Sequence, residues 1–136
     1  MSNHTSTTRR IIIEEIVLRT INHKDQRYET VGDWLKHLGR VEIRTSKLSC
    51  WELEFLILVH ELVEWGLCKK AGITQDEVDV FDKAHEKEQD EVELGDLRAA
   101  PYTKQHGLAT SVERMLAAEL GIVWSEYEEE LNELMR

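Results

Sequence analysis

Between Phe55 and Cys68 the chain is apolar almost without interruption, and the polar exceptions are His60, Glu61 and Glu64 in the run HELVE. At about 100° per residue, Leu56, Leu58, Val59, Leu62, Val63, Trp65 and Leu67 spread over the whole helical wheel. A helix apolar on every side belongs inside a protein, so the rest of the chain has to be arranged around it. Ser49 with Glu52 predicts a capping box at its start, and Lys69 and Lys70 followed by Gly72 predict its end. The chain has 136 residues, of which 41% are hydrophobic and 32% charged. That is enough for one core and too little for two.

The segments on either side fill in the architecture. Arg10 to Ile21 is rich in Ile and Val and predicts a strand. Arg27 to Leu35 and Arg40 to Ser46 predict two more, joined by a turn near His37 to Gly39. Thr74 with Glu77 repeats the capping-box pattern and opens a charged helix running to about Glu91, with Val78, Phe81 and Ala84 as its apolar stripe. A linker from Gly95 to Pro101 leads to a helix from Thr103 to Leu120, stopped by Gly121. A short last helix from about Ser125 puts Tyr127, Leu131 and Leu134 on one side. The expected fold is α+β: a polar tail over residues 1–9, then a single domain over 10–136. In that domain a small N-terminal antiparallel sheet of about three strands packs on the buried central helix, and two to three further helices follow.

Composition narrows the setting. No apolar run approaches the roughly 18 residues of a membrane span, so no membrane role is expected. Met1 to Arg10 is polar, and Ile11 to Ile13 is too short for the core of a signal peptide. Two cysteines, Cys50 and Cys68, without a CxxC pair, argue against a disulfide framework. A reducing cytoplasm is the expected compartment. The net charge of −10 is unevenly spread. Residues 1–50 carry nine basic and six acidic side chains and the remainder eight and twenty-one, giving +3 and −13. Such a surface repels phosphate backbones and attracts basic proteins, so direct nucleic-acid binding is not expected and a basic protein partner is.

The chemistry is concentrated in HELVE. With His60 at zero on the wheel, Glu64 falls at about 40° and Glu61 at about 100°, so the three polar groups share one sector. Burying two carboxylates beside a histidine costs several kcal/mol unless a cation, a basic partner or a solvent-filled cleft compensates. Residues four apart lie one turn apart on the same side, so the imidazole of His60 and the carboxylate of Glu64 can hold one ion. Glu61 then flanks the ion, where a general base would take a proton from metal-bound water.

The segment VHELVEWG resembles the active-site helix of zincin-type zinc metallopeptidases, and the strand ending near Ser46 resembles their edge strand. The resemblance covers roughly residues 40–70. It departs from the HExxH pattern in one position, since Glu64 stands where the second histidine would be. It implies a metal-dependent hydrolase with zinc, or another transition metal, at one site per chain.

Further ligands have to come from elsewhere, because a catalytic zinc takes three protein ligands and leaves a position for water. His106, in the first turn of the third helix and in line with Thr110, Glu113 and Ala117, is the first choice. Glu113 suits an acceptor for an imidazole N–H or an additional ligand. Asp82 and His85 are spaced three apart on the charged helix, but ten of the twenty-four residues from Gln75 to Arg98 are acidic and a solvated face is the default there. Cys68, one turn beyond Glu64, reads as packing. His4, His23 and His37 read as incidental.

Two other functional classes fit the same residues. One is a helical two-metal carboxylate site drawing on Glu61, Glu64, Asp82, His85, His106 and Glu113, as in ferritin-like proteins. The other is a non-enzymatic acidic inhibitor that mimics nucleic-acid charge, with HELVE as a structural cluster. The chain's size and polar front suit a phage-encoded or mobile-element accessory protein.

Overall fold

Helix α1, Trp51–Ala71, turns Leu53, Leu56, Ile57, His60, Glu64 and Cys68 inward along one face. The computed structural model describes residues 15–85, 94–97 and 100–136. The remaining circumference of α1 is only half covered. Leu58, Leu62 and Trp65 lie partly buried against the sheet, while Trp51 and Phe55 are exposed. The all-round apolar run is thus met by one fully buried face and partial cover elsewhere. Gly72 ends the helix at φ 77°, a left-handed conformation that suits glycine. The expected box at its start does not form. Cys50 is the N-cap without a side-chain hydrogen bond, and both the Ser49 N–H and hydroxyl are given to Glu130, at 2.8 and 2.7 Å. Ser49 is drawn to a distant acceptor instead of its own helix.

The α+β reading holds, with one change in the sheet. Strands β1 (Ile16–Ile21), β2 (Gly32–His37) and β3 (Arg40–Ser46) lie in the order β1-β3-β2. The β2–β3 hairpin is antiparallel through Leu38 and Gly39, both at positive φ, as a tight hairpin turn requires. β1 runs parallel to β3, with Leu18 opposite Ile43, so the sheet is mixed rather than antiparallel throughout. Strand β3 is therefore central, which corrects its likeness to an edge strand; the edge beside α1's polar cluster is β2. The connection from β1 to β2 must pass β3, and it carries Tyr28 to Val31 to the rim of a cleft. Arg27 to Val31 accordingly does not join β2. Arg27 instead grips Asp33 at 2.8 Å and Asp79 at 3.2 Å.

Helix α2, Gln75–Ala84, begins with the expected Thr74–Glu77 box. Its expected continuation to Glu91 lies outside the described residues, as do the tail and Arg10 to Glu14. Helix α3, Thr103–Glu119, packs along α1, and helix α4, Trp124–Leu134, closes the chain. Two apolar clusters flank the polar one. Val31, Leu48, Leu53, Leu56, Ile57, Ala117 and Tyr127 lie on one side; Trp34, Val41, Ile43, Cys68, Val78, Ala100 and Tyr102 lie on the other. Among the described residues no helix is long and apolar enough to cross a membrane.

Candidate metal centre

His60 and Glu64 meet His106 where α1 and α3 pack together. His106 lies one turn into α3, its N–H bonded to the Tyr102 carbonyl at 2.9 Å. A short 3-10 turn over Leu94–Asp96 sets its ring in place: Thr103 Oγ1 donates to the Gly95 carbonyl at 2.7 Å. A β-carbon on Gly95 would fall 2.3 Å from His106 Cγ, so only glycine lets the turn approach so closely. Asp96 Oδ1 lies 3.5 Å from His106 Nε2, leaving Nδ1 toward the interior.

Each of the three residues presents one atom to a common point. Glu113 Oε1 accepts from His60 Nδ1 at 2.7 Å, which turns His60 Nε2 inward. Trp34 Nε1 donates to Glu64 Oε1 at 3.0 Å, leaving Oε2 for the interior. His60 Nε2, His106 Nδ1 and Glu64 Oε2 then form a triangle with sides of 3.2, 2.9 and 3.4 Å. A tetrahedral ion with bonds of about 2.0–2.1 Å separates its ligand atoms by about 3.3–3.4 Å, so the triangle is close to one face of such a tetrahedron. The three residues, all buried, can hold a metal ion.

The electrostatics of the cluster are set by burial and by the contacts among its own members. Among the described residues no lysine or arginine pairs with Glu61, Glu64 or Glu113, which meet imidazoles, an indole N–H and a phenol. Burial opposes ionisation of Glu64, but hydrogen bonds from His106 and His60 outweigh it and hold its carboxyl down at about 2. Burial likewise opposes a charged His60, yet Glu113 and Glu64 and the charge of Glu61 push it up to about 11. Glu61 has no such support. Burial and then the charge of Glu64 raise it well above the usual carboxylate range. Its Oε2 lies 4.0 Å from His60 Nε2, and Gly32 crowds it from β2: a β-carbon there would come within 2.8 Å of Glu61 Oε2.

The cluster opens into a cleft of about 130 Å³ walled by residues including Trp34, Ile57, Val78, Tyr102, Leu131 and Met135. Asp82 lies in this cleft rather than in the ligand triangle, where it accepts from the Tyr102 hydroxyl. Burial and then the charge of Glu64 lift Asp82 to about 6 against that hydrogen bond. His85 takes no part, since its Nδ1 donates to the Phe81 carbonyl at 2.9 Å and its ring stacks on Phe81. Cys68 is fully buried, and burial pushes its thiol up to about 12, an inert packing group. His23 bonds Ser46 and Glu29 away from the cluster. Trp34, Gly95 and Tyr127 escaped the sequence reading, because an indole, a glycine and a phenol carry no ligand signal. Comparison with protein-family models, curated proteins and solved structures found no match.

Proposed function

We propose that the chain is a zinc-dependent hydrolase of zincin-like design acting on an amide or related bond. The observation that carries this reading is the ligand triangle of His60, Glu64 and His106 with the Glu61 carboxylate beside it, open to a cleft. Zinc bound there would polarise a water and a carbonyl oxygen. Glu61 would take the water's proton and hand it to the leaving group, and burial, then the charge of Glu64, raises its affinity for that proton. Glu113 holds His60 in the ligating tautomer, and Trp34 keeps Glu64 to one free oxygen. Ile57, Val78, Leu131 and Met135 give the cleft an apolar wall. The small volume favours a substrate that inserts one small group rather than a folded chain.

The test is elemental analysis of protein purified without a metal-affinity tag, beside His60→Ala and His106→Ala. About one zinc per chain, lost in both variants, is expected. Glu61→Gln should keep the metal and lose about 10²- to 10⁴-fold in turnover. No metal in any of them would overturn the reading and direct the search to basic protein partners of the acidic surface.

A further inference from the structure

Glu113 serves two donors from two different helices. Its Oε1 accepts from His60 Nδ1 on α1 at 2.7 Å, and its Oε2 accepts from the Tyr127 hydroxyl on α4 at 2.5 Å. Tyr127 is 1% exposed, with its ring edge-on to Trp124 at 5.3 Å, so its hydroxyl is committed within the core. A buried phenol keeps its place by finding an acceptor. A carboxylate bridging two donors cannot rotate about its terminal bond without releasing one of them. The rotation of Glu113, and through it the ring of His60, is therefore fixed from α4, a helix that supplies none of the triangle atoms.

We propose that Tyr127 is a positioning residue of this centre: its hydroxyl orients Glu113, which locks His60 with Nδ1–H outward and Nε2 toward Glu64 and His106. The consequence for metal affinity rests on the reading of the triangle as a metal site; the orientation of His60 does not. Helix α4 becomes part of the site's framework, consistent with Leu131 and Met135 walling the same cleft and Glu130 tying α4 to Ser49. Carboxylates that accept the second N–H of a ligating histidine contribute about 10- to 100-fold in metal affinity, and Tyr127 acts one step further out on that partner.

Two variants separate the hydroxyl from the packing. Tyr127→Phe keeps the ring and removes one oxygen, whereas Leu134→Val trims packing on the same helix and leaves the hydroxyl alone. The first readout is the imidazole Nδ1–H proton resonance of His60 in metal-free protein, which a buried hydrogen bond to carboxylate keeps far downfield and slow to exchange. The second is zinc affinity by competition with a chromophoric chelator. Tyr127→Phe is expected to shift or broaden the resonance and weaken zinc about tenfold, while Leu134→Val changes neither. An unchanged resonance in Tyr127→Phe, equal changes in both variants, or a changed resonance with unchanged affinity would each overturn the proposal. If the unmodified protein binds no zinc but Tyr127→Phe still alters the resonance, the positioning role stands and only the metal reading falls.

Discussion

The protein buries two groups of carboxylates in different ways. On the sheet, Glu42 is 1% exposed and accepts from Arg19 at 2.6 Å and from Arg44 at 2.8 Å. Burial works against its charge, but the two guanidiniums outweigh it and hold its carboxyl below the usual range. Arg19 is half exposed, so the pair reaches water. Between α1 and α3, Glu61, Glu64 and Glu113 meet only imidazoles, an indole N–H and a phenol among the described partners. The first group is answered by the chain's own fixed cations. The second is answered by imidazoles and neutral donors, groups that an external cation can replace or reinforce.

The sharpest way to break this contrast is to exchange the two carboxylates. Glu64→Gln should abolish metal uptake, whereas Glu42→Gln should leave it intact, with metal content per chain as the measure. Gly95→Ala comes next. Because its β-carbon collides with His106, metal affinity should fall on the order of 10- to 100-fold, read by chelator competition. Glu42→Gln should in turn cost about 1 kcal/mol of stability by leaving the largely buried Arg44 short of an acceptor, seen as a lower urea midpoint. The smallest effect is the pH dependence of metal-free protein. His60 is raised from 6.5 to about 11, so its contribution is complete below 6.5 and declines as pH climbs toward 11. Glu64 is lowered from 4.5 to about 2, so its contribution is complete above 4.5 and is lost as pH falls toward 2. The urea midpoint under chelator should therefore fall with acid through Glu64 and with alkali through His60, and His60→Gln should shrink the alkaline decline to the part that the raised Glu61 and Asp82 contribute.

Much of this was legible in local patterns. Gly72, the Thr74–Glu77 box and Gly121 mark helix ends because each acts within a few residues of itself. The inward sector of HELVE and the alignment of His106 with Glu113 follow from helical period alone. What stayed hidden is decided by distant partners. The parallel pairing of β1 depends on which strand it meets after a crossing connection, and β-branched residues carry no direction. Ser49 looks like a cap until Glu130, 81 positions away, takes its donors. The third edge of the triangle depends on Gly95, whose message is the absence of a side chain.

Trp34 stands in the cleft with its indole N–H on Glu64 Oε1, while Glu64 Oε2 faces the two histidines. One carboxylate thus links a fluorophore to the triangle of His60, Glu64 and His106 through a single group of bonded atoms. Electron density drawn from Glu64 toward a cation is withdrawn from the hydrogen bond that polarises the excited indole. Metal uptake at the triangle would then have an optical gauge: emission from Trp34, isolated by replacing Trp51, Trp65 and Trp124 with Phe, should change on titration with zinc.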